Sequence, residues 1–306
     1  MKLSPKAAVT PASAKTAAIL AGPVLPVLFA LALPTLAVLV IQTLVSLMET
    51  YFVSSLGPDA LAGVSVVFPV LMLMQMMANG GIGSGLSAAI ARATGAGRPQ
   101  QADALLWHGV LVALIFGSAC AIALVAAGQV LYQAMGLSGP ALTAALTYSD
   151  TVFMASPLIW LVALLSAAVR GAGDTRTPAL ITLGGAAILL PLSPLLIFGW
   201  GPLPGFGVAG AGMAIVIYYL ITLIFLLRKI RGPDSVVRLT MSATKAAFFK
   251  DILGVGLLAS IGTVQINLTV AIVTAAAGSF GQAAVAGYGI ASRLEYIQVP
   301  LLFGLG

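Results

Sequence analysis

The chain has 306 residues, of which 60% are hydrophobic and only 7% are charged. An ordinary soluble domain carries about 25% charged residues, so this composition excludes a soluble globular domain and indicates a chain whose natural solvent is lipid. The net charge of +6 comes from 14 basic residues scattered between apolar segments, which argues against a nucleic-acid-binding protein.

Apolar windows of about 20 residues mark helices that span a membrane. A short basic tail over residues 1–15, predicted to be disordered, precedes the first of them. We predict an all-α, polytopic membrane protein with eight transmembrane helices, at about residues 24–54, 60–91, 105–133, 140–169, 179–199, 207–227, 247–277 and 283–306.

The basic residues alternate along the chain. Every Lys and Arg except Arg293 lies in the N-terminal tail or near the connections that follow spans 2, 4 and 6. By the positive-inside rule these segments are cytoplasmic, and so is the N-terminus. The predicted location is the bacterial cytoplasmic (inner) membrane, with the lipid bilayer as a partner and no nucleic acid.

An internal repeat joins the two ends of the sequence. Residues 57–63 and 281–287 carry matching small residues, and each segment follows a span that runs outward. Copies with the same orientation form a parallel repeat. We therefore predict a first six-helix lobe at 16–230, a cytoplasmic linker at 231–246, and the first two helices of an incomplete second lobe at 247–306. A complete second lobe would need four more helices, so we expect a truncated form.

Five short segments carry a family resemblance. They are residues 32–34 (ALP), the stretch 49–62 (ET followed by LGPDALA), 170–178 (RGAGDTRTP), 194–199 (PLLIFG) and 207–211 (GVAGA). Together they resemble the multidrug and toxic compound extrusion (MATE) family of cation-coupled exporters over about residues 24–306. The resemblance implies twelve helices in two lobes around a cavity that opens to each side in turn, and hence that four helices are absent here.

Glu49 is the acidic residue of most interest, since it lies near the end of the first span. Gln42, Ser46 and Glu49 share one helix face at positions i, i+4 and i+7. A charge in the middle of a span costs about 2.5–3.5 kcal/mol, so Glu49 should face a cavity or hold a proton. The alternative is that Glu49 lies at the outer interface and reaches water.

The resemblance extends this interpretation. Family members carry an acid at the position of Glu49, and some complete a cation site with an Asn and an Asp in span 5 and a Thr in span 6. The corresponding residues here are Leu189, Ser193 and Ile215. We therefore predict coupling to protons through Glu49 rather than to sodium, and no other cofactor.

Further polar residues recur at helical spacing. Two polar residues share a face of span 2, and three share a face of each of spans 7 and 8. Such residues either line a substrate cavity or join helices by hydrogen bonds. We predict that the cavity is lined by Gln42, Ser46, Gln75, Asn79, Ser193, Asn267, Tyr288, Ser292 and Glu295, with Ser260 and Thr263 on the same face as Asn267.

Three other features have structural interpretations. Asp174, together with Arg170 and Arg176, is predicted to order the turn between spans 4 and 5, with a gating contact as the alternative. His108 is expected at the membrane interface. The glycine-rich residues 80–85 are predicted to give close helix packing or a bend.

These features favour a secondary active transporter that exports small cationic or amphipathic compounds in exchange for protons or sodium. One alternative is a flippase for lipid-linked saccharides, but Arg293 is the only arginine predicted within the membrane to receive a pyrophosphate. A membrane enzyme or structural subunit is a third possibility, although no paired acids or histidines occur at catalytic spacing. An inactive transporter fragment is a fourth. No ATP-binding motif and no Cys/His cluster occurs, which excludes an ATP motor and a zinc site.

Overall fold

The structure is a computed structural model that describes residue 41, residues 44–233 and residues 235–278. The helices are α1 (Leu44–Ser54), α2 (Pro58–Met76), α3 (Gly83–Gly95), α4 (Pro99–Ala134), α5 (Gly139–Met154), α6 (Ser156–Gly171), α7 (Arg176–Phe198), α8 (Gly207–Arg231) and α9 (Ala246–Gly278). A π-helical segment, Met77–Ile82, joins α2 to α3. Two short antiparallel strands, β1 (Gly199–Trp200) and β2 (Leu203–Pro204), close the connection from α7 to α8.

The described helices confirm the all-α, polytopic class. Five of them are long and apolar enough to cross a membrane, and α5 with α6 adds a sixth if the pair counts as one span. They correspond to predicted spans 2 to 7. Helix α1 corresponds to the end of predicted span 1, and predicted span 8 lies outside the described residues.

Two interruptions depart from the predicted continuous spans. Predicted span 4 is two helices that meet at Ala155 with a bend of 49°. Pro157 is the second residue of α6, where its missing N–H and its ring prevent α5 from continuing in a straight line. Predicted span 2 contains the π-helical segment, whose Asn79, Gly80 and Gly81 are poor helix formers.

Glycines let the helices approach each other at several crossings. A Cβ atom on Gly63 of α2 would lie 2.7 Å from the carbonyl oxygen of Ala141 on α5, and one on Gly117 of α4 would lie 2.5 Å from the Cα of Pro157. Helices in lipid gain little from the hydrophobic effect when they associate, so close backbone packing of this kind is a main source of their stability.

Helix α6 lies at the centre of the bundle. All of its residues from 162 to 169 are buried, which is unusual for a helix that faces lipid. Helices α3, α4 and α8 pack around it. The fully buried ring of Trp160 stacks on Phe116 of α4, with ring centroids 5.4 Å apart.

The basic residues of the described chain collect where α3 meets α4, α6 meets α7, and α8 meets α9. We call this the basic end. Contacts join these connections: a Cβ atom on Gly171 would lie against the backbone of Ser87, and the Lys229 ammonium lies 3.6 Å from an Asp174 carboxylate oxygen. The opposite end holds the connections after α1, α4 and α7.

Candidate functional site

Glu49 lies on the buried face of α1. Val45 and Val53, one helical turn to either side, are only 7% and 2% exposed. Residues four apart share a helix face, so Glu49 points to the same side as these valines. Val45 packs against Leu189 of α7 and Ala214 of α8. The carboxyl group of Glu49 therefore lies on the side of α1 that packs towards α7 and α8, and we call the region between these three helices the α1 cleft.

The side chains around Glu49 include three tyrosines. Tyr148 of α5 and Tyr218 and Tyr219 of α8 are close enough for a charge on Glu49 to act on their hydroxyl groups. Oxygen Oε1 of Glu49 is buried and accepts no hydrogen bond from the described residues. A phenol hydroxyl can donate to a carboxylate, so the tyrosines are suitable neighbours for either charge state. Oε1 is buried, and Glu49 as a whole residue is half-buried.

The positions predicted to have lost sodium ligands are buried and mostly apolar. Leu189 is 5% exposed and Ile215 is 8% exposed. Ser193 is 1% exposed, and its hydroxyl group makes no hydrogen bond among the described residues. A hard cation requires several oxygen ligands, and these three positions supply one hydroxyl group. Within the described chain no group of three or more His, Cys, Asp or Glu residues could hold a metal ion.

Besides Ser193, the predicted cavity residues whose side chains the structure describes are Ser46, Gln75 and Asn79. Ser46 is half-buried on α1, and Gln75 is half-buried on α2. Asn79 is exposed in the π-helical segment, where its amide group donates a 3.0 Å hydrogen bond to the Gln75 carbonyl oxygen. Gln75 and Asn79 thus lie together, but no described contact connects them to the α1 cleft. Gln42, the Asn267 side chain, Tyr288, Ser292 and Glu295 lie outside the part that the structure describes.

Ser260 takes part in helix packing. Its hydroxyl group donates a 2.8 Å hydrogen bond to the Gly256 carbonyl oxygen one turn earlier, and the residue is 5% exposed. A Cβ atom on Gly81 would collide with this hydroxyl group. The glycine-rich residues 80–85 therefore pack against α9, as the prediction of close packing required, and Ser260 is part of that contact.

Asp174 contacts Thr177 and Lys229 at the turn before α7, rather than Arg170 or Arg176. The amide and hydroxyl groups of Thr177 donate hydrogen bonds of 3.0 and 2.6 Å to its carboxylate, and the ion-pair partner is Lys229 of α8. Arg176 is exposed and Arg170 is half-buried. Partial burial by itself would raise the pKa of the Asp174 carboxyl group. The hydrogen bonds from Thr177 and the charge on Lys229 outweigh this effect and hold that pKa below its usual value.

Sequence reasoning missed some residues of this region and misjudged one. The tyrosines around Glu49 were not predicted, although the adjacent pair Tyr218 and Tyr219 in the middle of a span was a usable signal. His108, expected at the interface, is fully buried between Phe248 and Phe249, with ring centroids 4.9 and 5.0 Å away. The packing of α9 against α4 covers it, which its position in the sequence did not reveal.

The family is decided by comparison with known proteins. The MatE family model matches residues 34–195. The chain belongs to the MatE family. A protein named FAD transporter from Shewanella oneidensis is 33% identical over 209 residues, which cover 67% of this chain and 45% of that protein. The probable multidrug resistance protein YoeA of Bacillus subtilis is 29% identical, over 80% of this chain and 54% of that protein.

Solved structures agree in fold. A transporter of the MOP superfamily from Pyrococcus furiosus superposes with a TM-score of 0.84 at 28% identity, over 94% of this chain and 64% of that one. The outward-facing conformation of a multidrug resistance MATE transporter superposes with a TM-score of 0.81 at 29% identity. The superposition covers 91% of this chain and 61% of that one. MATE proteins are two-lobed helical transporters and not enzymes, so the resemblance seen in the sequence is confirmed. The chain spans about half of the length of the curated relatives it matches.

Proposed function

We propose that this chain takes part in the proton-driven export of small cationic or amphipathic compounds across the bacterial inner membrane, with Glu49 as the residue that carries the coupling proton. The observation that supports this role is the buried carboxyl oxygen Oε1 of Glu49, which has no hydrogen-bond partner among the described residues. A carboxyl group at that depth costs least when it is neutral or paired with a cation. A proton and a cationic substrate would therefore compete for the same group, which is the requirement for exchange.

The cleft is better suited to a proton than to sodium. A sodium ion that leaves water needs several oxygen atoms to replace its hydration shell, whereas a proton needs one base. The described groups that interact with Glu49 are phenol hydroxyl groups, and the three positions that correspond to the other sodium ligands supply one hydroxyl group, that of the buried Ser193. These residues support proton coupling through Glu49.

The charge of the cleft supports a cationic substrate. Every Lys and Arg in the described chain lies at the basic end or in the linker, and the α1 cleft contains a carboxyl group and aromatic rings. Aromatic faces attract cations, and more strongly where water is excluded. We also propose that the basic end faces the cytoplasm, because positively charged connections are retained there.

A flavin dinucleotide is a second candidate substrate, because the relative from Shewanella oneidensis is named an FAD transporter. Such a substrate carries two phosphate groups and would be bound best by basic side chains. The described part of the cleft offers none of these. We therefore rank cationic compounds first and include FAD in the test.

The test is transport in proteoliposomes by the purified chain and by Glu49→Gln, which keeps the shape of the side chain but cannot exchange a proton. A pH gradient should drive the movement of a fluorescent organic cation in the unmodified chain and not in Glu49→Gln. Asp59→Asn is the matched control, because Asp59 is an exposed acid in the first turn of α2 and should not affect coupling.

Three results would contradict the proposal. Glu49→Gln could export at the unmodified rate under a pH gradient, a sodium gradient alone could drive transport, or FAD could be exchanged while cations are not. Binding of the same fluorescent cation in detergent supplies a readout that does not need turnover. It should weaken on acidification in the unmodified chain and in Asp59→Asn, and it should not respond to pH in Glu49→Gln.

A further inference from the structure

The linker between α8 and α9 is bound to α4 by two side chains. The backbone N–H of Arg238 donates a 2.6 Å hydrogen bond to Oδ1 of Asp103. The backbone N–H of Lys245 donates a 3.0 Å hydrogen bond to Nε2 of His108. Asp103 lies about one turn and His108 about two and a half turns inside the start of α4, so they hold both ends of residues 238–245 against one helix.

The partners of His108 fix its protonation state. Nδ1 lies 2.7 Å from the carbonyl oxygen of Ala104, which can only accept, so Nδ1 must carry a hydrogen. Nε2 receives the N–H of Lys245, so it must present its lone pair. Both conditions hold only for the neutral ring. The ring is fully buried between Phe248 and Phe249, so water has no access to replace either bond.

Protonation would break one of these bonds. A hydrogen on Nε2 turns the acceptor into a donor that points at the donor of Lys245, and a charge appears in a site lined by aromatic rings. Lys245 is the last residue before α9. Loss of this bond therefore frees the chain at the point where it enters the helix that packs on the π-helical segment.

We infer that His108 and Lys245 form a pH-sensitive clasp, closed when His108 is neutral and opened by protonation on the side of the membrane that carries the basic end. Imidazole is the side-chain group whose charge ordinarily changes between about pH 5 and 8. The inference does not depend on the role of Glu49, and the clasp lies at the basic end rather than in the α1 cleft.

Other charged groups lie on the elements that pack around His108. They are Asp103 on α4 itself, Arg92 on α3, Arg238 and Lys245 on the linker, and Lys250 and Asp251 on α9. None of them forms an ion pair with His108 in the described chain, where the recorded pair joins Lys229 to Asp174. Asp103 instead accepts the Arg238 amide. His108 is therefore the group at this contact whose hydrogen bonds require one protonation state.

The experiment is hydrogen–deuterium exchange of the whole chain in nanodiscs between pH 5.5 and 8, with rates corrected for the intrinsic effect of pH. We expect protection of the Lys245 amide to fall by about tenfold on acidification, the ratio expected for the loss of one hydrogen bond of ordinary strength. Protection within α6 should stay constant, which reports that the fold is intact.

Two variants at His108 separate a clasp from simple packing. In His108→Gln the amide oxygen of the new side chain can accept from Lys245 and does not titrate in this range, so protection should persist without pH dependence. His108→Leu fills the space but cannot accept, so the amide should exchange rapidly at every pH. Asp103→Leu should expose the Arg238 amide and leave the pH response of Lys245 in place.

The inference is overturned if the unmodified chain protects Lys245 equally at pH 5.5 and pH 8. It is also overturned if His108→Gln, with α6 still protected, shows the same pH response as the unmodified chain. Because the first result needs no variant, poor folding of His108→Leu would not prevent a decision. Loss of export in Glu49→Gln tests a different residue and would leave the clasp unaffected.

Discussion

Replacing Gly85 by alanine tests whether α3 and α9 are held together by direct backbone contact. A Cβ atom at Gly85 would lie against the Ile252 carbonyl oxygen and 2.7 Å from the amide nitrogen of Gly256. Ordinary van der Waals contact begins near 3.4 Å, so the helices would have to separate by roughly 0.7 Å at the nitrogen and by more at the oxygen. Both obstacles are backbone atoms, which cannot rotate away.

We expect Gly85→Ala to lower the free energy of unfolding by about 1–3 kcal/mol, the usual cost of overpacking. Gly254→Ala is the matched control, because Gly254 lies in α9 and a Cβ atom there would meet no atom within 4 Å. That control should gain up to about 1 kcal/mol, since alanine favours helix more than glycine does. Unfolding in detergent, followed by circular dichroism, measures both. Equal stability of the two variants would refute the backbone contact.

Three further predictions concern single contacts, each measured by the same unfolding assay. Asp174→Ala should lower the free energy of unfolding by about 1 kcal/mol by removing the acceptor of the Thr177 hydrogen bonds at the start of α7, and Asp174→Asn should keep most of that stability. The pKa of Asp174 is lowered in the folded chain, so its contribution to the free energy of unfolding is present above the unfolded carboxyl pKa of about 3.9 and is lost as the pH falls below that value. Asp174→Asn should lack this acid-dependent loss of stability. Gly173→Ala should lower the free energy of unfolding by about 1–2 kcal/mol, because the φ of 95° at Gly173 is unfavourable for a residue with a side chain. Gly95 has no positive φ, so Gly95→Ala should not lower it. Gly81→Ala should be destabilising alone and partly rescued by Ser260→Gly, which removes the side chain it would meet.

The membrane spans could be predicted because lipid imposes one simple requirement. A segment in the bilayer must satisfy its backbone hydrogen bonds internally and be apolar for about 20 residues, and both conditions are visible in the sequence. The bend at Ala155 was not predicted, although the sequence has a proline, Pro157, two residues later. Proline within a span can be accommodated without a break, as at Pro191 and Pro194 within α7, when neighbouring groups satisfy the freed carbonyl oxygen.

The contacts at the basic end could not be predicted for a different reason. Asp174 has two arginines close by in the sequence, yet its ion-pair partner is Lys229, which the packing of α8 brings to the turn. The acceptors for the amides of Arg238 and Lys245 lie more than one hundred residues earlier in the chain. Helical periodicity predicts which side chains share a face, but not which faces of distant helices meet.

The two kinds of contact at α9 should respond to different conditions. Its packing on Gly81 and Gly85 consists of uncharged atoms in direct contact, which neither pH nor salt alters. The start of α9 is held by the hydrogen bond from the Lys245 amide to the neutral His108 ring, and protonation of the ring would break that bond. Acid would therefore free the start of α9 while its middle stays packed on the π-helical segment. If Glu49 carries the coupling proton, that proton acts between α1, α7 and α8, whereas the clasp acts on the start of α9 at the basic end.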